Sequence, residues 1–147
     1  MNEELVKDGL ILFNRQDVES FEISELERIL EVSLKARDEL KQRPGVVLQE
    51  LDEIEVTLVD DPAIARVHSE YFNDPSATDV ITFEHGEILI STETARRQAR
   101  KFKNEFAREV ALYAIHGLAH LGGYDDLEPE LCKEMKQVQE DLLERFW

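Results

Sequence analysis

An α+β fold is what this sequence predicts: a small mixed β-sheet packed with helices, in one domain spanning residues 1–147. Three observations carry that expectation. Short apolar runs with period-two alternation, such as Ile54-Glu55-Val56-Thr57-Leu58, are interleaved with longer runs of helical spacing. Turn residues separate these runs, and the chain contains no repeat, low-complexity segment or linker. One helical run, Ala114 to Leu121, carries histidines four residues apart and stops at Gly122-Gly123, a pair that favours a left-handed cap.

Taken in order, Leu10-Ile11-Leu12-Phe13 reads as a strand closed by the polar stretch Asn14 to Asp17. Ser24-Glu25-Leu26-Glu27 is a capping-box pattern, with Ser24 at the cap. Leu26, Ile29, Leu30 and Leu34 then keep helical spacing, and Pro44-Gly45 ends that helix. Ile54 to Leu58 is a half-buried strand. Asp60 or Asp61 caps a helix with Pro62 at its first position, carrying Ile64, Val67, His68 and Tyr71. Asn73-Asp74-Pro75-Ser76 is turn chemistry. Val80 to Phe83 and Ile88 to Ile90 form a hairpin through the four residues Glu84 to Glu87. Ser91 or Thr92 caps the next helix, which runs to about Phe102, and Asn104 caps the histidine helix. Pro129 opens the last helix, with Leu131, Met135, Val138, Leu142 and Phe146 on one face.

Composition bounds the function classes. With 147 residues the chain can bury a real core. No apolar run approaches the roughly 18 residues that span a bilayer. The start, Met1-Asn2-Glu3-Glu4, lacks the basic segment of a signal peptide. Cys132 is the single cysteine, so no internal disulfide forms. A cytoplasmic protein without a membrane partner is the expectation. A net charge of -16 repels phosphates in general. Arg96, Arg97, Arg100, Lys101, Lys103 and Arg108 nevertheless cluster in one segment. Two readings stand open for it: a solvated helix face with Glu93 paired to Arg97 at i+4, or a functional basic stripe.

The chemistry concentrates in the histidine run. Residues i and i+4 of a helix share a face, so His116 and His120 can address one metal ion. Reversal at Gly122-Gly123 brings Asp125 or Asp126 back towards them. Three protein ligands leave a fourth zinc position for water. The His-Glu-x-x-His protease pattern is excluded, because Gly117 stands where its glutamate base belongs.

His116-Gly117-Leu118-Ala119-His120-Leu121-Gly122-Gly123-Tyr124-Asp125-Asp126 resembles the signature of the YbeY family of bacterial rRNA-maturation endoribonucleases, His-Gly-x-x-His-Leu-x-Gly-Tyr-Asp-His. Thr78 to Phe83 is similar to the family's Thr-Asp-Val-Leu-Ser-Phe, and Gly86 to Ser91 to its Gly-Asp-Ile-x-Ile-Ser. The resemblance covers most of the chain. It implies a zinc-dependent endoribonuclease specific for single strands, acting in rRNA maturation and ribosome biogenesis. Its partners would be single-stranded or ribosomal RNA and the ribosome. It implies one Zn2+ ion held by His116, His120 and Asp126, with catalysis through the water on that ion. Asp125 is either a supporting residue that orients an imidazole or a turn aspartate.

Two positions depart from the pattern. The family's third histidine falls on Asp126, whose charge makes the metal a weaker Lewis acid. The family's arginine before the central strand falls on Phe72. His68 and the basic stripe of Arg96, Arg97 and Arg100 are the substrate-side candidates that could replace that cation. The departures also motivate an alternative: a family member that keeps the metal, cleaves weakly, and serves as a ribosome-assembly or RNA-binding factor.

Overall fold

The structure is a computed structural model that describes residues 2–147. Its order is β1 (Glu3–Lys7), β2 (Leu10–Asn14), α1 (Ile23–Leu40), a 3-10 turn (Val47–Glu50), β3 (Ile54–Val59), α2 (Asp61–Phe72), β4 (Val80–Phe83), β5 (Glu87–Ser91), α3 (Thr92–Phe102), α4 (Phe106–Leu121) and α5 (Pro129–Phe146). The α+β expectation holds: the strands form one mixed sheet in the order β1-β2-β3-β5-β4. The central pairs β2–β3 and β3–β5 are parallel, and the flanking hairpins are antiparallel.

Alternation within the strands sends two sets of side chains to opposite faces. Leu10, Leu12, Val56, Leu58, Ile88 and Ile90 meet α1, α4 and α5 in the main core. Ile81 and Leu89 point the other way and meet Ile64 of α2 in a small second core. The central strand β3 is therefore covered on both sides, and Thr57 is buried along with its apolar neighbours. That corrects the half-buried expectation for this strand.

Helix α4 runs through the middle of the main core and is buried nearly throughout. Gly117 is what lets it approach the sheet. A Cβ there would lie 2.7 Å from Ile88 Cγ2 and 2.9 Å from Ile88 Cδ1, closer than side chains tolerate. The close approach brings the polar side of α4, with both histidines, alongside the edge strand β4.

Several local expectations are corrected. Strand β1 was absent from the sequence reading; it pairs with β2 through the two-residue turn Asp8-Gly9, both at positive φ (48° and 82°). Helix α1 starts earlier than Ser24 implied: Glu22 is the cap, and its capping box is made with Glu25. Asp60 does cap α2, accepting from the Ala63 amide at 2.9 Å, but Pro62 is the second helical residue and not the first. The β4–β5 loop is three residues long, since Glu87 already pairs with Phe83. Ser91 caps α3. Glu105, not Asn104, precedes α4; Asn104 instead donates to Glu109 Oε1 at 3.5 Å. Cys132 is a free, half-buried thiol on α5. No helix among the described residues is long and apolar enough to cross a membrane.

Candidate metal centre

Nε2 of His116 and Nε2 of His120 lie 3.2 Å apart, and Asp126 Oδ2 is 4.0 Å from each. Among the described residues, these three form the only His, Cys, Asp and Glu group arranged to hold a metal ion. The spacing fits. Two Zn–N bonds of about 2.0–2.1 Å at a tetrahedral angle place their nitrogens about 3.3–3.4 Å apart. All three side chains are partly open to solvent, at 27%, 29% and 45% of their full exposure, so the group faces outward.

Each ligand has an identifiable cause for its orientation. His116 Nδ1 donates to Gln139 Oε1 of α5 at 2.9 Å. A donating Nδ1 leaves Nε2 bare, which is the ligating form. His120 is held below its ordinary pKa of 6.5, first by burial and then by the like charge of His116, against the pull of Asp126 and Asp125. It is therefore neutral at pH 7, as a ligand must be. The 4.0 Å contact between His120 and Asp126 is accordingly not an ion pair at that pH.

Asp126 returns to the histidines because α4 ends in a Schellman turn. The Tyr124 amide donates to the Ala119 carbonyl, the Gly123 amide to that of His120, and Gly123 sits at φ 90°. Arg43, just beyond α1, locks the turn from outside. Its guanidinium donates to the Gly122 carbonyl at 3.0 Å and lies 3.9 Å over the Tyr124 ring.

The three groups line a cleft of about 690 Å³ whose other walls include His68 and Phe72 of α2 and the edge strand from Thr78 to Thr82. His68 donates from Nδ1 to the Ser76 carbonyl at 2.9 Å, which pins the loop between α2 and β4. Asp125 accepts from the Leu127 amide at 3.2 Å, the bond of a turn aspartate. Arg96, Arg97 and Arg100 are not among the described residues that line this cleft. Arg96 pairs with Glu19 at 3.0 Å and stacks 3.8 Å over Phe106. Arg97 pairs with Asp61 at 2.8 Å, so the expected Glu93–Arg97 pair does not form. Glu93 accepts from the Asp61 amide at 2.9 Å instead. Arg100 is exposed on α3.

Gln139 and Arg43 were missed from sequence. Gln139 had a faint signal: it stands four residues after Met135 and three before Leu142, inside the apolar stripe of α5. Arg43 had none, because its contacts come from a segment 79 residues away.

Comparison with known proteins places the chain in a family. The family model described as Endoribonuclease YbeY matches residues 11–147. The Endoribonuclease YbeY of Bacillus subtilis (strain 168) is 33% identical over 147 residues, covering 84% of this chain and 92% of the relative. That of Listeria welshimeri is 32% identical, covering 80% of this chain and 93% of the relative. A solution structure from Thermotoga maritima superimposes with a TM-score of 0.57 at 28% identity, over 91% of this chain and 89% of the other. Matching motifs, length and topology make one conclusion: the chain belongs to the endoribonuclease YbeY family.

Proposed function

We propose that this protein is a zinc-dependent endoribonuclease that cleaves single-stranded RNA in rRNA maturation, with the chain acting as one cytoplasmic domain. The observation that carries the reading is the 3.2 Å approach of two imidazole nitrogens beside the Asp126 carboxylate, at the floor of an open cleft. Family membership supplies the reaction class.

The residues divide the work. His116, His120 and Asp126 would hold one Zn2+ ion. When bound, zinc acidifies water and offsets charge developing on phosphoryl oxygens. Gln139 holds the His116 ring with Nε2 turned into the cleft. The Schellman turn, clamped by Arg43, fixes how far the Asp126 carboxylate stands from the imidazoles. His68 holds the opposite wall through Ser76. The asymmetric donor set, two neutral nitrogens and one anion, leaves the centre with a net charge of +1 when zinc is bound. That is less attraction for phosphate than three histidines would give.

A second reading is a ribosome-assembly or RNA-binding factor with little cleavage. It is favoured by Phe72, which offers no charge to a phosphate from the cleft wall, and by the carboxylate at Asp126. Zinc-loaded wild type and His120→Ala, incubated with a single-stranded rRNA fragment, separate the readings. Cleavage by wild type that falls to background in the variant supports the enzyme. RNA binding by wild type with equal background cleavage in both supports the assembly role. Absence of both cleavage and RNA binding contradicts both.

A further inference from the structure

We propose that the aromatic side chains at the end of α2, at the end of β4 and in the loop that follows it form a nucleobase-stacking platform for single-stranded RNA at the mouth of the metal cleft. The inference rests on the endoribonuclease reading and adds the means of substrate recognition. Phe83 is the hub. The Phe72 ring lies 6.5 Å from it at an interplanar angle of 28°, and the His85 ring 5.4 Å from it at 14°. Tyr71 meets Phe83 edge-on at 5.2 Å, and His68 tilts against Phe72 at 5.6 Å. Near-parallel rings at these separations have the geometry in which flat, uncharged surfaces stack.

Phe83 is half-buried against the second core, whereas the rings around it are exposed where a packing role would bury them. Tyr71 keeps 63% and Phe72 54% of full exposure, beside a second core that closes over only Ile64, Ile81 and Leu89. It is continuous with the site: His68 and Phe72 line the same cleft as His116, His120 and Asp126. A strand of RNA with phosphate at the metal group therefore has bases within reach of these rings.

Charge selects the occupant. The chain carries a net -16, and Asp79 and Glu84 line this cleft. Binding through many phosphate contacts is disfavoured on such a surface. None of the candidate arginines Arg96, Arg97 and Arg100 lines the cleft, and Arg96 and Arg97 are tied to Glu19 and Asp61. Bases are neutral and present a π-face whatever their identity, so stacking supplies affinity of about 1–3 kcal/mol per base that does not depend on phosphate contacts. A duplex keeps its bases stacked on one another and cannot offer them, so single strands are favoured over double ones.

The test is fluorescence anisotropy with zinc-loaded protein, a labelled 2′-O-methyl oligouridylate and its abasic counterpart. Phe72→Ala should weaken binding of the base-bearing strand by about tenfold or more, and His85→Ala should weaken it in the same direction. Phe72→Tyr, which keeps the ring, should restore it. The abasic strand should bind wild type and Phe72→Ala equally weakly. Raising salt from about 50 to 200 mM should cost wild type less than about tenfold, where a protein holding 6–10 phosphates loses about 10³–10⁵. Phe72→Ala should keep its zinc stoichiometry and melting temperature, which separates loss of the platform from loss of the metal or the fold. Equal affinity of wild type and Phe72→Ala for the base-bearing strand would overturn the proposal, as would equal affinity of wild type for the two strands. Either result leaves the zinc-dependent cleavage assay with His120→Ala to stand or fall independently.

Discussion

Helices α3 and α4 pack against each other, and each carries side chains that the sequence marks for function. On α3 the marked groups are arginines in a row. Two are committed to partners far along the chain, Arg96 to Glu19 and Arg97 to Asp61. On α4 the marked groups are His116 and His120, whose Nε2 atoms point at each other and at the cleft. The contrast has a physical source. Spacing of i and i+4 on one helix fixes a juxtaposition whatever the rest of the fold does. A run of charge says nothing about which remote residue will neutralise it, because those partners arrive only with the tertiary structure.

The contrast can be broken or sharpened by substitution. The largest effect should come from Gly117→Ala, since the new methyl would sit on Ile88 at the α4–β5 contact. Overpacking of this kind costs about 1–3 kcal/mol, measurable by urea denaturation. A gain of about 1 kcal/mol, the helix-propensity difference between glycine and alanine with no clash against it, would show that α4 is not pressed against the sheet as described. Next, Gln139→Ala should reduce zinc affinity about 10- to 100-fold in a chelator competition, because the His116 ring loses its orienting acceptor. Zinc affinity equal to wild type would remove Gln139 from the site.

Smaller effects belong to α3 and its anchor. Burial opposes ionisation of Asp61, but bonds from Ser91, Arg97 and Thr94 together outweigh it and hold its pKa below the ordinary 3.8. A depressed carboxyl contributes stability above its unfolded pKa and loses it as pH falls through the folded value. The stability gap between wild type and Asp61→Asn should therefore be widest near neutrality and close below pH 3.8. A gap independent of pH would contradict this assignment. Arg97→Ala should do least. Its side chain is 58% exposed, and pairs of that kind contribute less than about 1 kcal/mol. Zinc affinity should not change, and a marked loss would erase the distinction drawn between the two helices.

The sequence made the architecture and the triad legible through local rules. Alternation located β3, short apolar runs located β2, β4 and β5, and caps together with helical period located the five helices. The glycine pair announced a turn that returns Asp125 or Asp126, and the family resemblance singled out Asp126. Strand β1 escaped because Glu3, Glu4 and Lys7 mask its period, although Asp8-Gly9 is a strong hairpin signal. Caps moved by one or two residues: Glu22 displaces Ser24 by completing a capping box with Glu25, and Glu105 takes the cap of α4 without any side-chain bond. Gln139 left only the faint trace of its place in the α5 stripe, and Arg43 and the aromatic platform left none. Each acquires its role from contacts between elements distant in the chain, which residue type and spacing do not encode.

Cobalt substitution tests the centre most directly. Metal-free protein titrated with Co2+ should bind one ion per chain and give the visible absorption of a four-coordinate site with nitrogen and oxygen ligands. His116→Ala, His120→Ala and Asp126→Ala should each lose that spectrum while keeping their helical content. Stoichiometric binding that survives all three substitutions, or no saturable binding by the wild type, would contradict the assignment of these residues as a metal centre.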